Sequence, residues 1–320
     1  MPDGVASSRG VFLTGATGYV GAAIAEALAR AGYGVCGLAR SRDSARDLER
    51  RGYAVYPGDM RNSGELSRAI LDSGAGAVVH AATTGGSDAG EADRAAVEGC
   101  LGALRGTGRT FVYTSGGWVM GEAPRSPEDP AADEETPVKP APALGWRPAV
   151  ERRVLKAASS LGVRTVVVRP ALVYGSGGGV VAELVRSARE RGSARYVVGD
   201  TPDSDPRWTL VHAADLGDLY ARIVSDGSVP GGTLVISAGT PAVPVREIAA
   251  EATRLHGAGG EPEPWPLAEA RGELGVYADS LALSQRLSGE RARRLFGWSP
   301  SGASVFEELA TGSYAPGRSR

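Results

Sequence analysis

The chain has 320 residues, of which 42% are hydrophobic and 22% are charged, and its formal net charge is −2 at neutral pH. This length suffices for one large domain or two joined domains, and the near-neutral charge does not favour nucleic acid or an anionic membrane as a partner. No apolar run approaches the roughly 20 residues that span a bilayer, and the first ten residues lack the apolar core of a signal peptide. Two cysteines, Cys36 and Cys100, are too few for a disulfide framework or a metal cluster. We therefore expect a cytoplasmic enzyme or binding protein without a bound metal.

The first 115 residues alternate short apolar runs with amphipathic segments. Each apolar run ends in small or polar residues, which is typical of buried strands in a parallel sheet. The predicted strands are residues 10–15, 33–39, 53–59, 76–82 and 109–115. The predicted helices between them are residues 19–31, 44–51, 63–73 and 91–105. This alternation predicts an α/β fold, a Rossmann-type doubly wound parallel sheet with helices on both faces.

Beyond Ser115 the alternation is less regular. Seven prolines within residues 122–148 predict a surface loop. The later predicted elements are a helix at about 148–161, a strand at 163–170, a helix near 179–191, a strand at 233–239, helices near 245–256 and 290–296, and an extended loop at 261–266. We assign residues 1–170, together with 208–240, to a nucleotide-binding core. Residues 171–207 and 241–320 are assigned to a smaller C-terminal substrate-binding region.

A glycine pattern follows the first predicted strand and opens the first predicted helix. Gly15, Gly18 and Gly21 have the order GxxGxxG. Glycine permits a tight turn and a close approach of a pyrophosphate to the backbone, and a helix N-terminus presents free N–H groups to an anion. At the first turn of a complete alternating pattern, these glycines predict a dinucleotide site.

The end of the second strand indicates which dinucleotide is bound. An NAD-selective site usually has Asp or Glu there, whereas this chain has Arg40, Ser41 and Arg42. A guanidinium can pair with the 2′-phosphate that distinguishes NADP(H), so we expect NADP(H). Only two of the 35 basic residues are lysine, a bias typical of GC-rich bacterial genes, so Arg40 could also be a solvated charge at a helix start.

Several segments along nearly the whole chain support the same assignment. They are TGATGYVG (14–21), GDMRN (58–62), HAAT (80–83), RPALVYG (169–175), WTLVHAADLGDLY (208–220) and RRLFGWSP (293–300). Together they resemble the extended and atypical short-chain dehydrogenase/reductase superfamily, which includes the NAD-dependent epimerase/dehydratase group. The resemblance implies that the cofactor is bound by Gly15, Thr17, Gly18, Tyr19, Val20, Arg40, Ser41, Asp59, Met60, Ala81, Ala82, Thr83, Arg147, Pro170, Leu172 and Val173. It also implies structural or cofactor-packing roles for His80 and His212, and a structural role for Asp215 beside His212.

The proton-transferring pair of that superfamily is missing. Its members carry Tyr-x-x-x-Lys-x-x-x-Glu, followed after nineteen residues by the proline of an Arg-Pro pair, and here Glu151 and Pro170 are nineteen apart. The resemblance therefore assigns the lysine position to Arg147 and the tyrosine position to Ala143, and no tyrosine occurs between residues 113 and 174.

The usual catalytic serine or threonine is also displaced. Its position falls on Gly116, and Ser115, one residue earlier, should face the opposite side if the strand continues. Arg147 is a poor general acid because a guanidinium keeps its proton at ordinary pH, although it can hold a ribose or an oxyanion. We expect Pro148 to delay the helix start to residue 147 or 148 and to leave Ala143 in a loop.

These observations favour an NADPH-dependent ketoreductase of a bacterial aromatic polyketide (angucyclinone) pathway, acting on a small molecule, in a monomer or homodimer. The proton would come from Thr83 or Ser115 acting as a relay, from solvent near Arg147, or from a hydroxyl on the substrate itself. The predicted substrate contacts are Ser115, Trp118, Met120, Trp146 and Tyr174, although Trp146 could instead pack the loop onto the domain. The alternatives are a nucleotide-dependent isomerase, epimerase or lyase, and a non-catalytic NADP-binding sensor.

Overall fold

The computed structural model describes residues 9–124, 128–199 and 205–317. Its strands are β1 (Gly10–Thr14), β2 (Gly34–Ala39), β3 (Ala54–Pro57), β4 (Ala77–His80), β5 (Thr110–Thr114), β6 (Arg164–Pro170), β7 (Leu172–Tyr174), β8 (Arg195–Val198), β9 (Arg207–Trp208), β10 (Leu210–His212), β11 (Thr233–Ser237), β12 (Val243–Pro244) and β13 (Glu263–Pro266). Its α-helices are α1 (Tyr19–Arg30), α2 (Arg42–Arg50), α3 (Ser63–Ser73), α4 (Ala89–Leu104), α5 (Arg147–Leu161), α6 (Gly179–Arg191), α7 (Ala213–Ser225), α8 (Val245–His256), α9 (Leu267–Leu274), α10 (Tyr277–Leu281), α11 (Glu290–Phe296) and α12 (Val305–Ala310). Short 3-10 helices lie at Gly117–Met120 and Pro142–Leu144.

The central layer is a seven-stranded parallel sheet in the order β11-β6-β5-β4-β1-β2-β3. Its strands are buried because helices cover both faces: α1 and α7 pack together on one face, and α3, α4 and α5 on the other. The α/β Rossmann-type fold predicted from the sequence is therefore confirmed. Because every strand is parallel, all carboxyl ends meet along one edge, and crossover helices begin there.

The C-terminal region has its own hydrophobic core, built on α6 and α8. The pattern at 261–266 predicted an extended loop, but Glu263–Pro266 forms β13, parallel to β8. The sequence signal was misleading because prolines at 264 and 266 are tolerated on an edge strand that pairs on one side only.

The boundary proposed for the substrate-binding region is also wrong in part. Ala292, Phe296 and Trp298 belong to the hydrophobic core that includes β1 and α7, and α11 packs on β11. The Trp298 indole donates a hydrogen bond to the Asp215 carbonyl at 2.8 Å. Part of residues 241–320 therefore completes the nucleotide-binding layer.

The proline-rich segment crosses the free edge of the sheet. Glu134, on that segment, accepts a hydrogen bond from the Ile236 backbone N–H of β11 at 2.7 Å and lies 3.4 Å from Arg291. Burial raises the pKa of Glu134. The segment is thus attached to the edge strand rather than projecting from the surface.

Helix α5 begins at Arg147, as the sequence predicts, with Pro148 buried in its first turn. A missing N–H is tolerated there because the first-turn donors have no intrahelical acceptor. The expectation that Ala143 lies in a loop is wrong, since Pro142–Leu144 forms a 3-10 helix and Gly145 and Trp146 keep right-handed helical dihedral angles. The helical path thus extends back from α5, although the regular α-helical pattern begins only at Arg147.

Within the described ranges, no helix is both long and apolar enough to cross a lipid bilayer.

Arg164 at the start of β6 should stabilise the core strongly. Its guanidinium donates to the carbonyls of Val229, Ile223 and Asp226, which join β6 to the end of α7 and the segment before β11. Arg164→Ala leaves these carbonyls without that donor and should lower the free energy of unfolding by about 2–4 kcal/mol. The exposed Arg152→Ala on α5 is the control in chemical denaturation and should change it by less than about 0.5 kcal/mol. Equal effects of the two substitutions would contradict this role.

Candidate nucleotide site and reaction centre

The glycine turn is too tightly packed for any side chain at two of its positions. A Cβ on Gly21 would lie 1.9 Å from the Gly15 carbonyl oxygen, and one on Gly15 would lie 2.8 Å from backbone atoms of Ala81 and Ala82. Gly15 also has φ +77°, a conformation that side chains disfavour. The 80–83 segment therefore packs directly against the glycine turn, as a dinucleotide fold requires.

The start of α1 is free to receive an anion. Gly18 is the N-cap residue and no side chain caps the helix, while Thr17 and Gly18 are exposed. The first N–H groups of a helix have no intrahelical acceptor, and the helix dipole favours negative charge there. A pyrophosphate fits this position without further rearrangement.

A cavity of about 240 Å³ opens beside this turn, at the carboxyl ends of β1, β2, β3 and β4. Eight predicted cofactor residues line it: Gly15, Thr17, Arg40, Ser41, Asp59, Met60, Ala82 and Thr83. The sequence reasoning missed Leu38, Ser44, Gly58 and Thr84, which also line it. Each of them lies within three residues of a predicted one, so extending the predicted motifs along the chain would have found them.

The other predicted cofactor residues lie around this cavity rather than in its wall. Tyr19 donates its hydroxyl to the Gly175 carbonyl at 2.9 Å, which joins the glycine turn to the segment after β7. Pro170 ends β6, and its carbonyl lies beside Gly117, while Leu172 and Val173 belong to β7. Contacts from these residues to a cofactor stay predictions.

Some polar groups that line the cavity already have hydrogen-bond partners within the chain. Ser41 caps α2 by accepting the Ser44 N–H at 3.2 Å. A side-chain hydrogen bond from Arg61, with a shortest distance of 2.5 Å, lowers the pKa of Asp59. Arg40 is exposed at the end of β2 and contributes a positive charge to the same surface.

The Ser115 hydroxyl already has a hydrogen-bond acceptor within the chain. It is buried, and its hydroxyl donates to the Glu151 carboxylate at 2.5 Å. Glu151 in turn accepts two hydrogen bonds from the Arg169 guanidinium, at 2.6 and 3.0 Å, with both side chains buried. In this arrangement the Ser115 hydroxyl donates within the chain and its oxygen can accept a further hydrogen bond, while its role as a proton relay stays a prediction.

Arg147 places a permanent cation near the end of β5. Its Nη1 donates to the Thr114 carbonyl at 2.9 Å, and its guanidinium carbon lies 4.7 Å from the centre of the Trp146 ring. Its buried Nε has no hydrogen-bond partner among the described residues. This donor and charge can hold an electron-rich oxygen but cannot supply a proton at ordinary pH.

Gly116, at the position that the superfamily uses for a hydroxyl, leaves open space. Its backbone is extended, with φ −179°, and a Cβ there would meet no atom within 4 Å. The neighbouring tyrosines do not fill this role, since Tyr113 donates to Asp93 and Tyr220 hydrogen-bonds with Thr114, both with pKa values raised by burial.

Of the four other predicted substrate residues, two are almost fully buried and two are tryptophans that pack against neighbouring residues. Met120 is buried with its sulfur near Arg169, and Tyr174 is buried and donates to the Ala303 carbonyl. Contacts of both residues with a substrate stay predictions. Trp146 packs on α4, because a Cβ on Gly90 would lie 2.9 Å from its ring. Trp118 is half-buried and meets Tyr277 edge-on, with ring centroids 5.7 Å apart.

His80 and His212 have structural partners. His80 is buried between Thr14, at 2.6 Å, and Asp93, at 3.1 Å. His212 caps α7 through the Ala214 N–H and lies 3.2 Å from Glu308. Asp215, on the first turn of α7, accepts backbone N–H groups of Ser301 and Gly302.

No group of three or more potential metal ligands occurs among the residues that the structure describes.

The chain belongs to the NAD dependent epimerase/dehydratase family, whose family description matches residues 11–237. It is similar to a solved UDP-glucose 4-epimerase of Thermus thermophilus in complex with NAD, with a TM-score of 0.75 and 21% identity, covering 96% of this chain and 97% of that one. A dTDP-glucose 4,6-dehydratase of Bacillus anthracis with NAD gives a TM-score of 0.77 at 15% identity, covering 96% and 94%. An uncharacterized protein of Saccharomyces cerevisiae is 25% identical over 305 residues, 93% of this chain and 97% of its own. Family and fold together support a nicotinamide dinucleotide as the cofactor.

Gly21→Ala should weaken binding of NADH or NADPH about tenfold or more, since the new methyl group forces the Gly15 carbonyl out of the turn. Gly102→Ala is the matched control, because a Cβ on this residue of α4 meets nothing within 4 Å. That control should keep dinucleotide affinity and raise stability by up to about 1 kcal/mol. Calorimetric titration and thermal unfolding of both variants measure these effects; unchanged affinity in the Gly21 variant would refute the packing argument.

Proposed function

We propose that this chain is an NADPH-dependent ketoreductase that reduces an aromatic ketone to an alcohol in a bacterial secondary-metabolite pathway of the aromatic polyketide type. The observation that carries the proposal is the combination of a fixed cation at Arg147 with a Ser115 hydroxyl whose proton is held by Glu151. Such a site favours a negatively charged oxygen but contributes no acid of its own.

When bound beside the glycine turn and Arg40, NADPH would supply the hydride for the carbonyl carbon of the ketone. Arg147 stabilises the alkoxide that develops on the carbonyl oxygen, while Ser115 Oγ accepts a hydrogen bond from a substrate hydroxyl. The proton that completes the alcohol comes from a hydroxyl next to the ketone, such as a phenol, or from solvent through the open space beside Gly116. An internal phenol also polarises the carbonyl before hydride arrives.

The choice of NADPH rests on the end of β2. Arg40 and Ser41 line the cavity of about 240 Å³ beside the glycine turn. No Asp or Glu lies between residues 34 and 42 to repel a 2′-phosphate. A guanidinium can form a charge-assisted pair with that phosphate.

A second candidate is a nucleotide-dependent isomerase, epimerase or lyase. It is favoured by the similarity in fold to a UDP-glucose 4-epimerase and a dTDP-glucose 4,6-dehydratase. Against it stands the absence of a tyrosine between residues 113 and 174, because a reaction that first oxidises its substrate needs a base near the alcohol. Product formation without net consumption of added NADPH would favour this candidate. Cofactor binding with no turnover of any ketone would favour the third alternative, a non-catalytic NADP-binding sensor.

Arg40→Ala should raise the KM for NADPH about tenfold or more and leave the KM for NADH nearly unchanged, because only NADPH carries the 2′-phosphate. Arg42→Ala is the matched control: this arginine is also exposed but does not line the cavity. Steady-state kinetics with both cofactors measure the difference. A similar loss with NADH and NADPH, or equal effects of the two variants, would contradict selection by Arg40.

Substrate assistance is tested with 1-hydroxyanthraquinone and 1-methoxyanthraquinone, which differ in the hydroxyl next to the carbonyl. We expect NADPH oxidation to be at least about tenfold slower with the methoxy compound, since its carbonyl lacks the internal proton donor. Anaerobic single-turnover measurements separate hydride transfer from reoxidation of the product. Equal rates would refute substrate assistance, and no oxidation with either compound would count against this ketone class.

A further inference from the structure

A glycine-rich loop, residues 175–179, joins β7 to the first residue of α6. Four of its five residues have positive φ: Gly175 at +91°, Ser176 at +51°, Gly177 at +67° and Gly179 at +72°. Within the described ranges, Ser176 is the one residue other than glycine with positive φ. Glycine loses more conformational entropy on ordering than other residues, so the shape of this loop depends on contacts from outside it.

One set of contacts comes from the segment that follows α12, residues 311–315. The Tyr314 hydroxyl accepts a hydrogen bond from the Gly175 N–H and donates one to the Gly178 carbonyl, both at 2.7 Å. Ser313 Oγ accepts a hydrogen bond from the Gly177 N–H at 2.8 Å. Tyr314 is buried, so water cannot readily replace its two hydrogen bonds.

The two residues that hold the loop are themselves fixed by α12. The Glu308 carboxylate accepts hydrogen bonds from the Ser313 N–H, at 2.8 Å, and from the Ser313 hydroxyl. The Glu308 carbonyl accepts the Tyr314 N–H at 3.1 Å, and α12 packs on α8. The loop is therefore attached to the hydrophobic core of the C-terminal region.

On its other side the loop contacts the start of α1. Tyr19, the first residue of that helix, donates its hydroxyl to the Gly175 carbonyl at 2.9 Å, and a Cβ on Gly179 would lie 3.1 Å from its ring. The N–H and the carbonyl of Gly175 are thus bound by Tyr314 and Tyr19 respectively. This contact lies next to Gly18, where the uncapped N–H groups of α1 are available to an anion.

We propose that Ser313 and Tyr314 are positioning residues of the dinucleotide site. They hold the 175–179 loop, the loop holds the Tyr19 side chain, and Tyr19 keeps the start of α1 in the geometry that receives the pyrophosphate. The C-terminal region thereby acts on cofactor affinity without touching the cofactor. This role does not depend on which reaction the bound dinucleotide serves.

The test is calorimetric titration of the full chain with NADPH and with NADH, in the absence of any ketone. Tyr314→Phe and Tyr19→Phe, which keep the ring and remove the hydroxyl, should each weaken both dinucleotides about fivefold, because the pyrophosphate is common to the two. The double variant should lose about fivefold as well, instead of the roughly 25-fold expected of independent residues. Ser313→Ala, which removes the acceptor of the Gly177 N–H, should act in the same direction.

Tyr196→Phe is the matched control, because this buried tyrosine belongs to the same hydrophobic core but donates its hydroxyl to Asp205. Its affinity for both dinucleotides should stay within about twofold of the unaltered chain. Full affinity in the Tyr314 variant, or additive losses in the double variant, would overturn the proposal. If the unaltered chain bound neither dinucleotide, the site and the positioning role would both be refuted, whereas tight binding without reduction of a ketone would refute only the proposed reaction.

Hydrogen exchange of the cofactor-free chain gives a second readout that needs no ligand. Tyr314→Phe should speed exchange of the Gly175 N–H at least about tenfold, because that group loses its acceptor, and leave the Val79 N–H in β4 unchanged. Equal protection of Gly175 in the variant and in the unaltered chain would show that Tyr314 does not hold the loop.

Discussion

The buried ion pair between Glu151 and Arg169 is the interaction on which the reaction centre depends. It joins the second turn of α5 to β6 deep in the fold, and the same carboxylate accepts a hydrogen bond from the Ser115 hydroxyl. Removing one partner of such a pair leaves an uncompensated buried charge, which commonly costs 3–5 kcal/mol. The pair therefore fixes the position of α5 and the direction of the Ser115 hydrogen bond. Through α5 it also places the Arg147 guanidinium at the end of β5.

That arrangement separates two tasks, the stabilisation of negative charge and the transfer of a proton. Binding and charge stabilisation can be retained by Arg147, because a guanidinium holds oxygen atoms well. Proton transfer cannot be retained by the same group, because the guanidinium does not release its proton at ordinary pH. Under the proposed function, the proton would therefore come from the substrate or from solvent.

Local signals in the sequence predicted much of the fold and the nucleotide cavity. The strand–helix alternation, the glycine turn and the effect of Pro148 on the start of α5 all act over a few residues, so they can be recognised without the structure. The contacts of Ser115 with Glu151 and of Met120 with Arg169 could not be predicted, because these partners are distant in the chain. The stacking of Arg195 on Trp265 could not be predicted for the same reason, because the two residues meet only when β8 and β13 pair.

The contact between Glu134 and the Ile236 N–H has a consequence for how this protein behaves at high concentration. Edge strands carry unpaired backbone donors and can recruit a strand from another molecule. At β11 one of those donors is occupied by an acidic side chain from a segment of the same chain. A strand approaching this edge would have to displace a buried carboxylate and its arginine partner. The crossing segment therefore disfavours sheet extension and aggregation.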